Sequence, residues 1–134
     1  MAEFVLRDMV KKEGVSDKFE IASCATSTEA LGETVYPPAK KKLAEHGISC
    51  LGKTARQMTK SDYDYYDYLI AMDKLNLRNM TRFVGDDPKG KVSLLMDYTN
   101  RPGDVADPWY TGDFDKTWED VNVGCRGLLD KLNK

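Results

Sequence analysis

The residues with most chemical potential in this 134-residue chain form the run Asp107-Pro108-Trp109-Tyr110. An acid, a rigid turn residue and two flat aromatic walls stand side by side. A carboxylic acid held against apolar rings suits protonation of the leaving oxygen of an aromatic ester. An acidic surface turn stapled by its aromatic neighbours is the plainer alternative, because one short motif is weak evidence. Further acids cluster nearby at Asp97, Asp104, Asp113 and Asp115. They lack the D-x-[DN]-x-[DN]-G spacing of a calcium loop and read as solvated loop and cap residues, so no metal site is expected.

The run sits in a polar loop, 97–112, that opens after the apolar segment Val92–Met96. Such a segment predicts a buried strand, and loops leaving strand ends are where α/β sheets place chemistry. A second apolar run, Tyr68–Met72, predicts another buried strand. Asp73 then caps a helix with Leu75, Leu77 and Met80 inward. Earlier, Phe4, Val5, Met9 and Val10 share one face of a helix over 2–13, stopped by Gly14. Lys18–Cys24 alternates and predicts a strand, and a polar loop follows to Val35. Pro37 and Pro38 suit the first turn of a helix running to His46, with Gly47 as its cap. A weak extra strand is possible near Thr54–Met58, and Thr59 with Asp62 forms a capping-box pattern ahead of a short helix. Phe114, Trp118, Val121, Cys125, Leu128, Leu129 and Leu132 stripe a final helix. Strands alternating with helices predict an α/β fold, a three-layer parallel sheet with helices on both faces, in one domain over 1–134.

Composition narrows the classes. With 41% hydrophobic and 31% charged residues the chain is globular, and a net charge of −2 predicts no nucleic acid or anionic membrane as partner. No apolar run approaches the ~20 residues of a membrane span. Three cysteines, Cys24, Cys50 and Cys125, are odd in number and widely spaced, which predicts free thiols and a cytoplasmic location. Cys24 and Cys125 read as small buried thiols. A single histidine argues against zinc.

The ordered set Met1-Ala2-Glu3-Phe4, Ala25-Thr26-Ser27, His46-Gly47-Ile48, Ala55-Arg56-Gln57, Met72-Asp73 with Asn76-Leu77-Arg78, Asp107-Pro108-Trp109-Tyr110 and Cys125-Arg126 resembles the low molecular weight protein tyrosine phosphatases along the whole chain. The resemblance implies a four-stranded parallel sheet and hydrolysis of phosphotyrosine proteins or small aryl phosphates through a cysteinyl phosphate, without cofactor. It also implies that Asp107 is the general acid, that Trp109 and Tyr110 wall the substrate ring, and that Asp73 supports the phosphate loop from below, unless it is only a helix cap.

One departure matters. The family's phosphate loop is a C-x5-R-S/T segment after the first strand, where backbone N–H groups and a helix N-terminus lower the cysteine pKa and the arginine clamps phosphate. This sequence starts at the residues that follow that loop, so the first strand, nucleophile and arginine are expected to be missing. Cys50–Arg56 matches C-x5-R, but a helix end precedes it and Gln57 follows it, which is the wrong context. The expectation is therefore a truncated, inactive chain. The gap left in the sheet is expected to be covered by rearrangement or by a homo-oligomer. A non-catalytic module that oligomerises or binds a partner is the alternative.

Overall fold

The computed structural model describes residues 2–24, 37–49, 56–105 and 114–132. Helix α1 spans Ala2–Lys12, α2 Pro37–Glu45, α3 Lys60–Tyr65, α4 Lys74–Val84 and α5 Phe114–Leu132. Among the described residues two strands, β1 (Leu69–Ala71) and β2 (Val92–Leu94), pair in parallel with Leu69 opposite Val92 and Ala71 opposite Leu94.

Helix ends follow local chemistry. Gly14 leaves α1 at φ 72° and Gly47 follows α2 at φ 74°, a left-handed turn that glycine adopts without a Cβ penalty. The Asp62 carboxylate accepts the Thr59 backbone N–H at 2.8 Å, which satisfies one of the donors orphaned at the start of α3. Asp73 Oδ1 accepts the Asn76 N–H at 2.8 Å and caps α4.

Strand β1 lies between two helical layers. Leu69 and Ala71 face a cluster with Met58, Tyr63, Met80 and Val84. Ile70 and Met72 pack instead against Val5, Leu95, Val121, Cys125 and Leu128, from α1, α5 and the turn after β2. Period-two alternation thus gives β1 an apolar neighbour on both faces, the α/β layering expected from the sequence. Helix α5 reaches that turn through two glycines. A Cβ on Gly127 would stand 2.0 Å from the Tyr98 carbonyl oxygen, and one on Gly124 2.5 Å from Leu95 Cγ.

Three expectations are corrected. Residues 18–24 do not form a strand: Ser16–Lys18 is one 3-10 turn and Phe19–Cys24 is irregular. A strand needs a ladder, and the described residues offer this one none. The Val92–Met96 run pairs only to Leu94, because the Asp97 carboxylate turns back to accept the Leu94 N–H at 3.0 Å and winds 95–98 into a 3-10 turn. Leu75 is 50% exposed; Leu77, Met80 and Val84 form the inward stripe, and Leu75 lies off it. Of the weak strand near Thr54–Met58, an isolated bridge at Gln57 is described, while residues 50–55 lie outside the described set.

Candidate functional site

The ends of the two strands meet at one edge of the sheet. After β1 the chain turns through Met72 and Asp73 into α4, and after β2 it runs through residues 99–105. Two hydrogen bonds join these paths. The Val105 N–H donates to the Met72 carbonyl at 2.8 Å, and the Lys74 N–H to Asp104 Oδ1 at 3.0 Å. Val105 itself is buried. The chain is therefore pinned to the end of β1 two residues before Asp107. Asp107, Trp109 and Tyr110 lie outside the described residues, as does Asp113.

The other candidates are placed as follows. Asp73 serves as the α4 cap, and Asn76 reaches back so that its Oδ1 accepts the Met72 N–H at 3.3 Å. Asp97 and Asp104 accept backbone N–H groups, and Asp115 pairs with Lys42. No cluster of metal-ligating side chains occurs among the described residues. Cys125 is buried, and loss of solvation pushes its thiol up to about 12, so it holds no thiolate at neutral pH. Cys24, expected to be buried, is exposed. The extended ladder that would have covered it does not form.

Of the Cys50–Arg56 motif, Cys50 lies outside the described residues. Arg56 has a carboxylate partner. Both its terminal nitrogens donate to Asp62, at 3.0 Å each. This fork-to-fork pair holds the guanidinium pKa above its ordinary value. The Arg56 bond, helped by the Thr59 N–H, holds the Asp62 carboxyl below its own. An arginine so engaged is poorly placed to clamp a phosphate.

Sequence reasoning missed two buried acids. Glu3, 6% exposed, accepts the Ser23 hydroxyl at 2.5 Å and pairs with Arg7 at 3.1 Å. Asp120, 3% exposed, pairs with Lys116 at 3.2 Å and Arg101 at 3.4 Å. For Glu3 the available signal is the arginine one helical turn ahead. Asp120 has the same signal in Lys116.

A trough of about 850 Å³ runs beside the sheet. Residues 18–24 border it together with 65–73, and Leu95, Val121, Cys125 and Leu128 line it from the α5 side. Tyr65 and Tyr68, 63% and 48% exposed, stand on its rim, and the Tyr65 hydroxyl donates to Glu20.

Comparison with known proteins bears on all of this. The family model for low molecular weight phosphotyrosine protein phosphatases matches residues 1–134. The chain is 32% identical over 136 residues to the low molecular weight protein-tyrosine-phosphatase YfkJ of Bacillus subtilis, covering 100% of this chain and 87% of the relative. It is 36% identical over 138 residues to a low molecular weight phosphotyrosine protein phosphatase of Sus scrofa, covering 98% and 86%. The crystal structure of YfkJ superposes with a TM-score of 0.94 at 31% identity, over 98% of this chain and 84% of that one.

Proposed function

Because the chain belongs to the low molecular weight phosphotyrosine protein phosphatase family, we propose that its chemistry is the hydrolysis of phosphotyrosine in proteins, or of small aryl phosphates, in a form that carries the phosphate loop. In that form a cysteine thiolate attacks phosphorus, and the ester oxygen leaves as a phenolate. Asp107 gives that oxygen its proton and then takes one from the water that opens the cysteinyl phosphate. Trp109 and Tyr110 hold the ring between them. The supporting observation is the Val105 to Met72 hydrogen bond, which ties the segment leading to Asp107 to the end of β1, where α/β sheets gather their catalytic groups.

The 134-residue chain itself is proposed to be inactive. Its C-x5-R match, Cys50–Arg56, has its arginine engaged by Asp62. The test is hydrolysis of an aryl phosphate by the purified chain beside Cys50→Ser and Asp107→Asn. Turnover no greater than that of either variant is expected. Turnover lost in both variants would assign Cys50–Arg56 as a working phosphate loop and overturn the proposal. In a form with the loop, Asp107→Asn is expected to lower turnover about 10²- to 10⁴-fold.

Cys24 and Cys125 sit in no disulfide, which favours a reducing compartment, the cytoplasm. No helix among the described residues is long and apolar enough to cross a membrane. A second reading is favoured by the trough: a non-catalytic module acting through the open side of the sheet, by homo-oligomerising or by binding a partner. A compact, monodisperse monomer in sedimentation would remove the oligomer branch.

A further inference from the structure

We propose that the exposed face of α4, formed by Lys74, Leu75, Arg78 and Arg82, docks an acidic segment of the phosphotyrosine protein on which the family chemistry acts. The inference rests on the catalytic reading above for what that segment belongs to. It concerns the residues flanking the phosphotyrosine and involves no phosphate chemistry.

The first argument is charge. Helix α4 carries three cations and no acid, in a chain with 20 basic and 22 acidic side chains. Helices α1 and α5 place opposite charges one turn apart, as in Glu3 with Arg7, Lys116 with Asp120 and Arg126 with Asp130. In α4, Lys74, Arg78 and Arg82 follow one another at four-residue spacing, and like charges so spaced disfavour a helix. A lysine in the first turn also opposes the helix dipole. Asp73 and Asp104 accept the backbone N–H groups of Asn76 and Lys74, and neither forms an ion pair with the Lys74 ammonium. No described carboxylate pairs with the Arg78 guanidinium, while Arg82 lies over the Phe83 ring, 5.3 Å from its centroid. Local choices that work against a helix are expected where its surface serves binding rather than folding.

The second argument is Leu75. Residues 74, 75, 78, 81 and 82 form the exposed face, and Leu75, 50% exposed, is the one apolar side chain on it. The third is place. Helix α4 starts at the end of β1, directly after Asp73, beside the Val105 to Met72 bond that pins the segment leading to Asp107. From Lys74 to Arg82 the helix rises about 12 Å, the length of about four residues of extended chain. The fitting occupant is a polypeptide with acids in a run of that length and an apolar side chain among them for Leu75. Nucleic acid fits poorly, because the chain has a net charge of −2 and the face carries no aromatic side chain for a base. A membrane surface fits poorly as well, since one leucine is not an apolar face.

The test titrates the isotope-labelled 134-residue chain with the synthetic peptide acetyl-Asp-Glu-Leu-Glu-Tyr-amide and follows the backbone amide shifts. One control, acetyl-Lys-Lys-Leu-Lys-Tyr-amide, reverses the charge; the other, acetyl-Asp-Glu-Ser-Glu-Tyr-amide, removes the apolar side chain. Shift changes centred on residues 74–82 are expected with the first peptide. The lysine control should bind at least about tenfold more weakly and the serine control about threefold more weakly. Arg78→Gln should weaken binding about two- to fivefold, the scale of one exposed ion pair, and Lys74→Gln with Arg78→Gln about tenfold. Added salt should weaken binding to the native chain more than to the double variant. Arg78→Gln should leave Tm unchanged or raise it, because it removes a like-charge contact. A fall in Tm with unchanged peptide affinity would mark Arg78 as structural and overturn the proposal. Equal affinity for the acidic and lysine peptides, binding centred outside 74–82, or no binding to the folded chain would do the same. So would tighter binding of a duplex DNA oligomer at the same amides, which would assign the face to nucleic acid. The peptides carry no phosphate, so failure here leaves the catalytic proposal untouched, and failure of that proposal leaves the binding result standing.

Discussion

The two sides of β1 differ in how completely they are closed. Toward β2 and the turn after it, helix α5 approaches so closely that Gly124 and Gly127 leave no space for a methyl group. Toward Phe19–Cys24 the same strand borders a trough of about 850 Å³. Both sides belong to one short strand, so strand propensity does not explain the contrast. The closed side has its neighbours within the described chain. The open side has an edge with no ladder neighbour among the described residues. Packing density is thus set locally, by which neighbours each side of a strand has, and not by the strand alone.

The sharpest way to break the closed side is Gly127→Ala. Its Cβ would meet a backbone oxygen, which cannot rotate away, and urea unfolding is expected to show a loss of about 3 kcal/mol. Gly124→Ala meets the Leu95 side chain, which can turn, so a loss of about 1–2 kcal/mol is expected. If the two variants cost the same, the closed side is less tightly determined than its glycines imply.

Acid tests a different part of the contrast, the network around α3 and the turn into β2. The Tyr63 hydroxyl and the Val92 and Lys91 N–H groups hold the Asp87 carboxyl below its ordinary value, as Arg56 does for Asp62. A lowered folded-state pKa gives stability that is present above the unfolded value and lost as pH falls through the folded one. Stability should therefore decline below about pH 4, and Asp87→Asn should flatten that decline in pH-dependent urea unfolding.

The thiols report the same asymmetry. Iodoacetamide at pH 8 should modify Cys24 on the open side, whereas Cys125 should react only when denaturant is present; peptide mass mapping reads both. The raised Cys125 pKa also contributes stability that is complete below the unfolded thiol value and fades as pH climbs toward about 12. The smallest effect belongs to the outer border. Ala22→Lys, at an exposed position outside any ladder, should change stability by less than about 0.5 kcal/mol.

What the sequence made legible divides along similar lines. The helices, the Thr59–Asp62 and Asp73 caps and the stripe of α5 are local patterns, and local patterns survive whatever happens elsewhere. The strand over 18–24 was misjudged because alternation states which face a residue would take, not whether a neighbour exists to pair with. Cys24 followed that error into the open. The turn after Leu94 depended on one carboxylate folding back three residues, a contact that composition does not announce. Asp107, Trp109 and Tyr110 were legible only as a motif, and the described structure speaks to their approach path through Val105.

That approach path sets a rule for where the chain tolerates extra length. The Asp104 and Val105 bonds act as a register pin between the loop and the strand end. An insertion among residues 100–103 adds slack on the near side of the pin and leaves the downstream register unchanged. One inserted between Asp104 and Val105 separates the two bonds of the pin, so they can no longer form together. Loop grafting or insertional mutagenesis should accordingly be permissive up to Gly103 and intolerant between Asp104 and Val105.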